Sequence, residues 1–363
     1  MNKLEIARQQ INEADREIAK YFEKRMKASQ MVAEYKLENM MPIFDPKREA
    51  QVIENNKAFI DDPEIRSFYA LFQQNVMDVS KMYQRRLVEG MRVAYSGVEG
   101  AYAHIAAKLI FPDANHVPYG SFEEAYEAAV NGESDCVVLP IENSTAGEVG
   151  GNMDMIYAGP LTINGMYELK ITHNLLAKKG TAISEIKTVC SHVQAIQQCY
   201  EYIKRNGFAT QNVVNTAVAA KMVAESGDRT IAAIASRETA KLYGLEIIAE
   251  AINESTINTT RFAVLSRADT ASGDNKLFTL GFTVNHEAGA LAKVIKIIAK
   301  YNFNMHLIKS RPLKDELWRY YFFTEIEGNI NSEAGRKLLE GLKEVCINVR
   351  VIGAYGDHTT LEE

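Results

Sequence analysis

The chain has 363 residues, of which 47% are hydrophobic and 24% charged, and its 41 basic and 47 acidic side chains leave a net charge of -6. At about 150 residues per domain this length carries about two or three domains, and the apolar content excludes a largely disordered chain. The acidic balance argues against nucleic acid as a partner, and no run approaches the roughly 20 apolar residues that a membrane-spanning helix needs.

The first twenty residues, MNKLEIARQQINEADREIAK, are charged throughout and lack the apolar core of a signal peptide, so a cytoplasmic protein is expected. The four cysteines, Cys136, Cys190, Cys199 and Cys346, form no CxxC pair and are expected to be reduced and buried. The seven histidines show no metal-ligand spacing, and neither GxGxxG nor GxxxxGK(S/T) occurs. No metal and no cofactor is therefore expected.

Three regimes follow one another: 1–88, which holds no glycine and reads as helix; 91–267, which alternates β-branched runs with alanine-rich helical runs; and 276–356, which reads strand, helix, strand, strand, helix, strand. Polar, small residues from Ala268 to Asn275, Ala271 and Ser272 among them, form the second joint.

A first helix is predicted from near Lys3 to Asn39. Asp45-Pro46 and Asp62-Pro63 open two more, each an N-cap followed by proline at the first helical position. Steps of three and four along the first helix give Arg8, Ile11, Asp15, Ile18, Phe22, Arg25, Ser29, Val32 and Lys36. Charges on a core-facing stripe need partners. They are either structural ion pairs on a solvated face or the walls of an anion site. Arg25 and Lys36 lie roughly 16 Å apart along the axis, close enough to hold a small dianion between them. Arg8 lies roughly 25 Å from Arg25 and would serve a second site, most simply in a partner chain.

Arg8, Asp15, Arg25, Lys36, Asp45-x-x-Arg48-Glu49 and Ser80-x-x-x-Gln84 together resemble the all-helical chorismate mutase family. The resemblance implies an all-α bundle that forms an intertwined dimer, with Arg8 donated in trans. It further implies a pericyclic rearrangement of chorismate to prephenate. Arg8, Arg25, Arg48 and Ser80 would hold the carboxylates, Lys36 and Gln84 the ether oxygen, and Asp45 and Glu49 the ring hydroxyl.

In the second regime, strands run into polar clusters: Ser96 to Tyr102, Ile141 to Gly147, Ser191 to Ala195, and Asn215 to Ala217. Helix N-termini at strand ends attract anions, and four such clusters point to a carboxylate-binding cleft between two lobes. Pro140-Ile141-Glu142-Asn143-Ser144, Ser191-His192-Val193-Gln194-Ala195 and Asn258-Thr259-Thr260-Arg261-Phe262, in this order, resemble prephenate dehydratase. This implies a two-lobed α/β domain that removes carboxylate and hydroxide from prephenate. Thr260 is then the catalytic candidate. Asn143, Ser144, Thr145, Ser191, Gln194 and Arg261 are binding candidates. Val98, Ala101 and Val193 depart from the family's usual loop residues. Glu142 is either an acid or a structural acceptor, and His173 is expected as a satisfied core histidine.

In the third regime Phe278, Leu280, Phe282 and Val284 alternate with Thr279, Gly281 and Thr283, a half-buried strand. Gly289-Ala290-Leu291 and Lys309-Ser310-Arg311-Pro312 resemble the two markers of the ACT domain, a ferredoxin-like α+β module. The resemblance implies phenylalanine as effector, bound by Gly289, Ala290, Leu291, Ser310 and Arg311. Lys309 stands where the family has glutamate and is expected to face the effector's ammonium and weaken its binding. The whole implies a bifunctional enzyme of phenylalanine synthesis, a homodimer or higher oligomer acting on chorismate and prephenate. The alternatives are a chain that keeps one activity and a non-catalytic carboxylate sensor.

Overall fold

The computed structural model describes residues 2–270, 273–313 and 319–362, so Ala271 and Ser272 of the second joint lie outside the described residues. The chain divides into two compact units, Met1–Arg92 and Val93–Glu363.

The first unit consists of α1 (Lys3–Glu38), α2 (Pro46–Lys57) and α3 (Pro63–Glu89). Each begins where its cap residue dictates. Asn2 and Glu5 form a reciprocal capping box, Asp45 accepts from the Arg48 amide at 3.0 Å, and Asp62 accepts from the Glu64 amide at 2.8 Å. Ser29 and Ala33 are the buried residues of α1, against Met77, Ser80 and Gln84 of α3. Residues 2–24 are exposed throughout.

The second unit continues with β1 (Arg92–Ser96), α4 (Tyr102–Ile110), β2 (Asn115–Tyr119), α5 (Phe122–Val130), β3 (Cys136–Asn143), β4 (Gly147–Glu148), α6 (Asn152–Ala158), β5 (Thr162–Lys170) and β6 (Asn174–Ala177). There follow β7 (Thr188–Ser191), α7 (Val193–Gln198), α8 (Tyr200–Asn206), β8 (Ala209–Asn212), α9 (Thr216–Glu225), β9 (Ile231–Ala235), α10 (Arg237–Tyr243), β10 (Glu246–Ala249) and β11 (Thr259–Ser266). The last stretch is β12 (Leu277–Thr283), α11 (Ala290–Lys300), β13 (Asn304–Pro312), β14 (Tyr320–Glu327), α12 (Glu333–Val345), β15 (Asn348–Tyr355) and β16 (Thr359–Leu361).

Two sheets organise these elements. The smaller runs β10-β6-β9-β7-β8, with apolar clusters on both faces. The larger runs β13-β14-β12-β15-β5-β11-β3-β1-β2 and joins the two modules that the sequence sets apart. The joint is the parallel contact of Gly353 with Ile163. A Cβ on Gly353 would come within 2.2 Å of the Ile163 carbonyl, so only glycine lets the strands approach here. Beneath the sheet, Leu277, Tyr321, Phe323, Ile352 and Tyr355 pack in the same core as Leu139, Ile141, Met153 and Ile163. Three cysteines are buried and Cys346 is half-buried, all four as free thiols.

Candidate active sites

In the helical unit, Arg25 from α1 donates to Ser80 Oγ and, at 3.4 Å, to the Val76 carbonyl, while Ser80 donates to the same carbonyl at 2.8 Å. Burial pushes the Arg25 guanidinium below its ordinary value, as expected for a cation held by neutral partners. One turn on from Ser80, Gln84 is buried, and its Oε1 has no hydrogen-bond partner among the described residues. Lys36 donates to the Ile43 carbonyl at 2.6 Å, and Arg48 to Gln51 at 3.2 Å. Glu49 pairs with Lys81 at 3.0 Å; burial opposes the Lys81 charge, yet Asp78 and Glu49 together raise its pKa. Arg8 and Asp15 are exposed. The unit thus brings Arg25, Ser80 and Gln84 together and leaves Arg8 apart.

In the second unit a cavity of about 610 Å³ lies where strands of both sheets end. Its wall includes Ser96, Asn143, Gln194, Asn215, Thr216 and Thr260. Parallel strands deliver their following helices to one end. Thus α4, α5 and α9 all start at this cavity, α5 capped by Ser121 and α9 by Asn215, whose side chain accepts from the Val218 amide at 2.8 Å. Their unpaired N–H groups and dipoles favour an anion.

A connected polar cluster stands in the wall. Asn143 and Thr260 are directly opposite in the β3–β11 ladder. Asn143 Nδ2 donates to Thr260 Oγ1 at 3.0 Å and to Asn258 Oδ1 at 2.8 Å. Asn143 Oδ1 accepts from Thr145 Oγ1 at 2.7 Å and from the Ala146 amide at 2.9 Å. Gln198 joins the cluster, donating to Thr145 Oγ1 at 2.7 Å and accepting from Asn258 at 2.9 Å and from His173 Nε2 at 2.9 Å. That contact puts the proton of His173 on Nε2, and burial holds the imidazole pKa below its ordinary value. His173 is therefore a buried, bonded histidine as expected from sequence, and it also lines the cavity. Thr260, accepting from Asn143, keeps its own O–H to donate into the cavity.

Three candidates lie elsewhere. Ser191 is fully buried and donates to the Ile234 carbonyl at 2.6 Å. Ser144 donates to the Ile257 carbonyl at 2.8 Å and accepts from the Thr259 amide, which fixes the loop rather than meeting the cavity. Arg261 follows Thr260 in an extended strand and so points to the opposite face. It lies 3.0 Å from Glu168 and 4.0 Å from Glu142. Gln198 was missed, although it lies one helical turn beyond Gln194, on the same face.

Comparison with known proteins decides between the alternatives. Residues 7–85 match the chorismate mutase type II family, 93–270 prephenate dehydratase and 278–344 the ACT domain. A bifunctional chorismate mutase/prephenate dehydratase of Neisseria gonorrhoeae is 31% identical over 96% of this chain and 95% of its own. The chain belongs to the bifunctional chorismate mutase/prephenate dehydratase family. It is also similar to arogenate dehydratase/prephenate dehydratase 2 of Arabidopsis thaliana, 36% identical over 75% of this chain and 74% of that one. Among solved structures, prephenate dehydratase from Arthrobacter aurescens in complex with L-Phe superposes with a TM-score of 0.68 at 27% identity, over 74% of this chain and 90% of that one.

In this bifunctional chain Gly289 precedes α11 with a positive φ of 82°; the Ala290 amide donates to the Glu287 carbonyl at 3.2 Å, and no side chain caps the amides that follow. Residues 285–289 are exposed. The second marker is engaged differently from expectation. Arg311 binds Asp154 at 2.7 Å and Glu148 at 2.9 Å, and Lys309 lies 2.6 Å from Glu142. Lys309 thus meets a carboxylate of the dehydratase strand β3 in place of an effector ammonium. Glu142 is its acceptor, and Ser310 lies between the two paired cations on β13. No helix among the described residues is long and apolar enough to cross a membrane, and no group of three or more His, Cys, Asp or Glu among them could hold a metal ion.

Proposed function

We propose that residues 1–88 carry the mutase site, 91–267 the dehydratase site and 276–356 a phenylalanine-responsive module, in a cytoplasmic homodimer that converts chorismate to prephenate and prephenate to phenylpyruvate. In the mutase reaction no proton moves, so catalysis consists of holding the reactive chair and stabilising charge on the breaking ether bond. Arg25, steadied by Ser80, takes one carboxylate with Arg48. Arg8 of a partner copy closes the site. Gln84 and Lys36 donate to the ether oxygen, and Asp45 and Glu49 meet the ring hydroxyl. The Arg25–Ser80 contact, with buried Gln84 one turn on from Ser80, supports this arrangement.

In the dehydratase reaction the ring–carboxylate bond breaks, its electron pair forms the last ring double bond, and the ring C–O bond releases hydroxide. Thr260 donates its free O–H to that departing oxygen, and a proton from solvent completes the water. Asn143, held by Thr145, fixes the Thr260 rotamer. Gln194 and the N-termini of α4 and α9 take the substrate carboxylates. The observation that carries the assignment is the Asn143–Thr260 pair at the cavity, where a hydroxyl held by Asn143 keeps a proton to give. The uncapped turn at Gly289, Ala290 and Leu291 receives the effector's carboxylate, with Ser310 as a further contact; Arg311, tied to two acids, transmits rather than binds.

Two variants test the assignment. Arg25→Ala lowers chorismate consumption by about a hundred-fold or more and leaves phenylpyruvate formation from supplied prephenate intact. Thr260→Val does the reverse. A folded variant that loses both activities would refute the division of labour.

A further inference from the structure

Two residues of the ACT strand β13 reach the back of the catalytic ladder. We propose that Lys309 is a positioning residue for the dehydration step, acting through Glu142 on the Asn143–Thr260 pair; this rests on the roles proposed above for those two residues.

The geometry follows from strand alternation. Asn143 and Thr260 are opposite each other and line the cavity; the adjacent opposite pair, Glu142 and Arg261, faces the other way. On the far side of Arg261, Glu168 of β5 is its direct partner. The back of the ladder therefore holds two carboxylates around one guanidinium, with His358 3.5 Å from Glu168. Arg261 binds Glu168 at 3.0 Å and stands 4.0 Å from Glu142. Lys309 takes Glu142 at 2.6 Å, which frees Arg261 for Glu168. Two positions along β13, on the same face, Arg311 binds Glu148 of β4, the strand partner of Glu142, and Asp154 of α6. The ACT strand thus supplies two cations to a surface that carries four acids, Glu142, Glu148, Asp154 and Glu168, and one cation of its own.

These side chains are between 14% and 31% exposed, so their charges are screened less than those of a surface pair. The ladder's register shifts between Arg261 and Phe262, a bulge that sets the direction of the neighbouring side chains. If Lys309 loses its charge, Glu142 and Glu168 compete for Arg261, and the strand ends bearing Asn143 and Thr260 shift together. The cavity wall and its helix N-termini stay in place. Substrate binding therefore suffers less than the alignment of the Thr260 O–H with the leaving oxygen.

The test uses the full chain, with steady-state dehydratase kinetics on prephenate and mutase kinetics as the internal control. Lys309→Met is expected to lower dehydratase kcat by about ten- to a hundred-fold, with KM changed by less than about three-fold and mutase kcat unaltered. Lys309→Arg keeps most of the rate. Glu142→Gln lowers kcat similarly, and the double variant Lys309→Met/Glu142→Gln is no worse than either single one, as for residues acting through one contact. A normal kcat in folded Lys309→Met, or a double variant whose loss is the product of the single losses, overturns the role of Lys309. Should Lys309→Met fail to fold, the same decision falls to Glu142→Gln and to Lys309→Arg, where a fully active Glu142→Gln overturns it. Full activity in Thr260→Val would instead refute the catalytic assignment itself, whereas an inactive Thr260→Val beside a normal Lys309→Met refutes the positioning role alone.

Discussion

His173 shows how one side chain links the cavity wall to pH. Its ring is buried, Nε2 donates to Gln198, and Nδ1 lies 3.3 Å from the Tyr102 hydroxyl, which itself donates to the Thr172 carbonyl. Burial lowers its pKa from 6.5, with the Gln198 contact opposing only in part. The unfolded imidazole therefore takes up a proton at a higher pH than the folded one. The stability due to this group is complete above the unfolded pKa and is lost as pH falls through the lower folded value. His104 and His192 are shifted in the same direction, also by burial. Urea midpoints measured from about pH 7 to pH 5 should fall more steeply for the parent than for His173→Asn, since the variant retains the other two histidines. Parallel profiles would show that His173 does not contribute. At this scale the sequence is informative about residue type and poor about direction. The TRF segment offers Thr260 as the catalytic candidate and Arg261 as a binding one, and only the strand, which turns alternate residues to opposite faces, shows that Arg261 leaves the cavity. Ser191 and Ser144 have the chemistry of ligands, but backbone carbonyls of distant segments claim their hydroxyls, and no local pattern announces such partners.

Helix α1 is 36 residues, about 54 Å long, and its exposed first part carries Leu4, Ile11, Ile18 and Phe22. An isolated helix of this kind draws little stability from propensity alone, and an apolar stripe of this length calls for another surface to cover it. The proposed second copy would satisfy both needs and bring an Arg8 into reach of an Arg25. Homodimers of Arg8→Ala and of Arg25→Ala should each be nearly inactive as mutases. Refolding the two variants together gives heterodimers in which one site carries both defects and the other none, so about a quarter of the parent mutase activity should return. If mixed dimers form and no activity returns, Arg8 does not act in trans. The caps and the seam made these helices readable, because both depend on residues within a few positions of one another. The proposed pairing with a second copy leaves no such local pattern to read.

The three regimes of the sequence become two compact units, because the ACT region does not stand apart from the dehydratase. Boundaries read from composition respond to local change, and the segment Ala268–Asn275 does look like a linker. What joins the modules is long-range. Gly353 meets Ile163 across the sheet, Tyr157 stacks on Tyr321 with ring centroids 3.9 Å apart, and Arg350 donates to the carbonyls of Gly159 at 2.6 Å and Leu161 at 3.2 Å. Five large side chains from the ACT region and its flanks, Leu277, Tyr321, Phe323, Ile352 and Tyr355, complete the dehydratase core. Burial of each such side chain contributes about 1.5–3 kcal/mol. Together they rival the about 5–15 kcal/mol that separates a folded domain from its unfolded chain. The two possible truncations should then behave differently. Residues 93–363 alone should fold cooperatively and dehydrate prephenate at close to the parent rate, since this unit keeps its whole core. Residues 1–270 should lose dehydratase activity and aggregate or melt far below the parent, with the core face of β5 and α6 left uncovered. Thermal melts and prephenate turnover on the two fragments decide the point: a stable, active 1–270 fragment would mean that the shared core is dispensable and that the ACT region is an appended sensor.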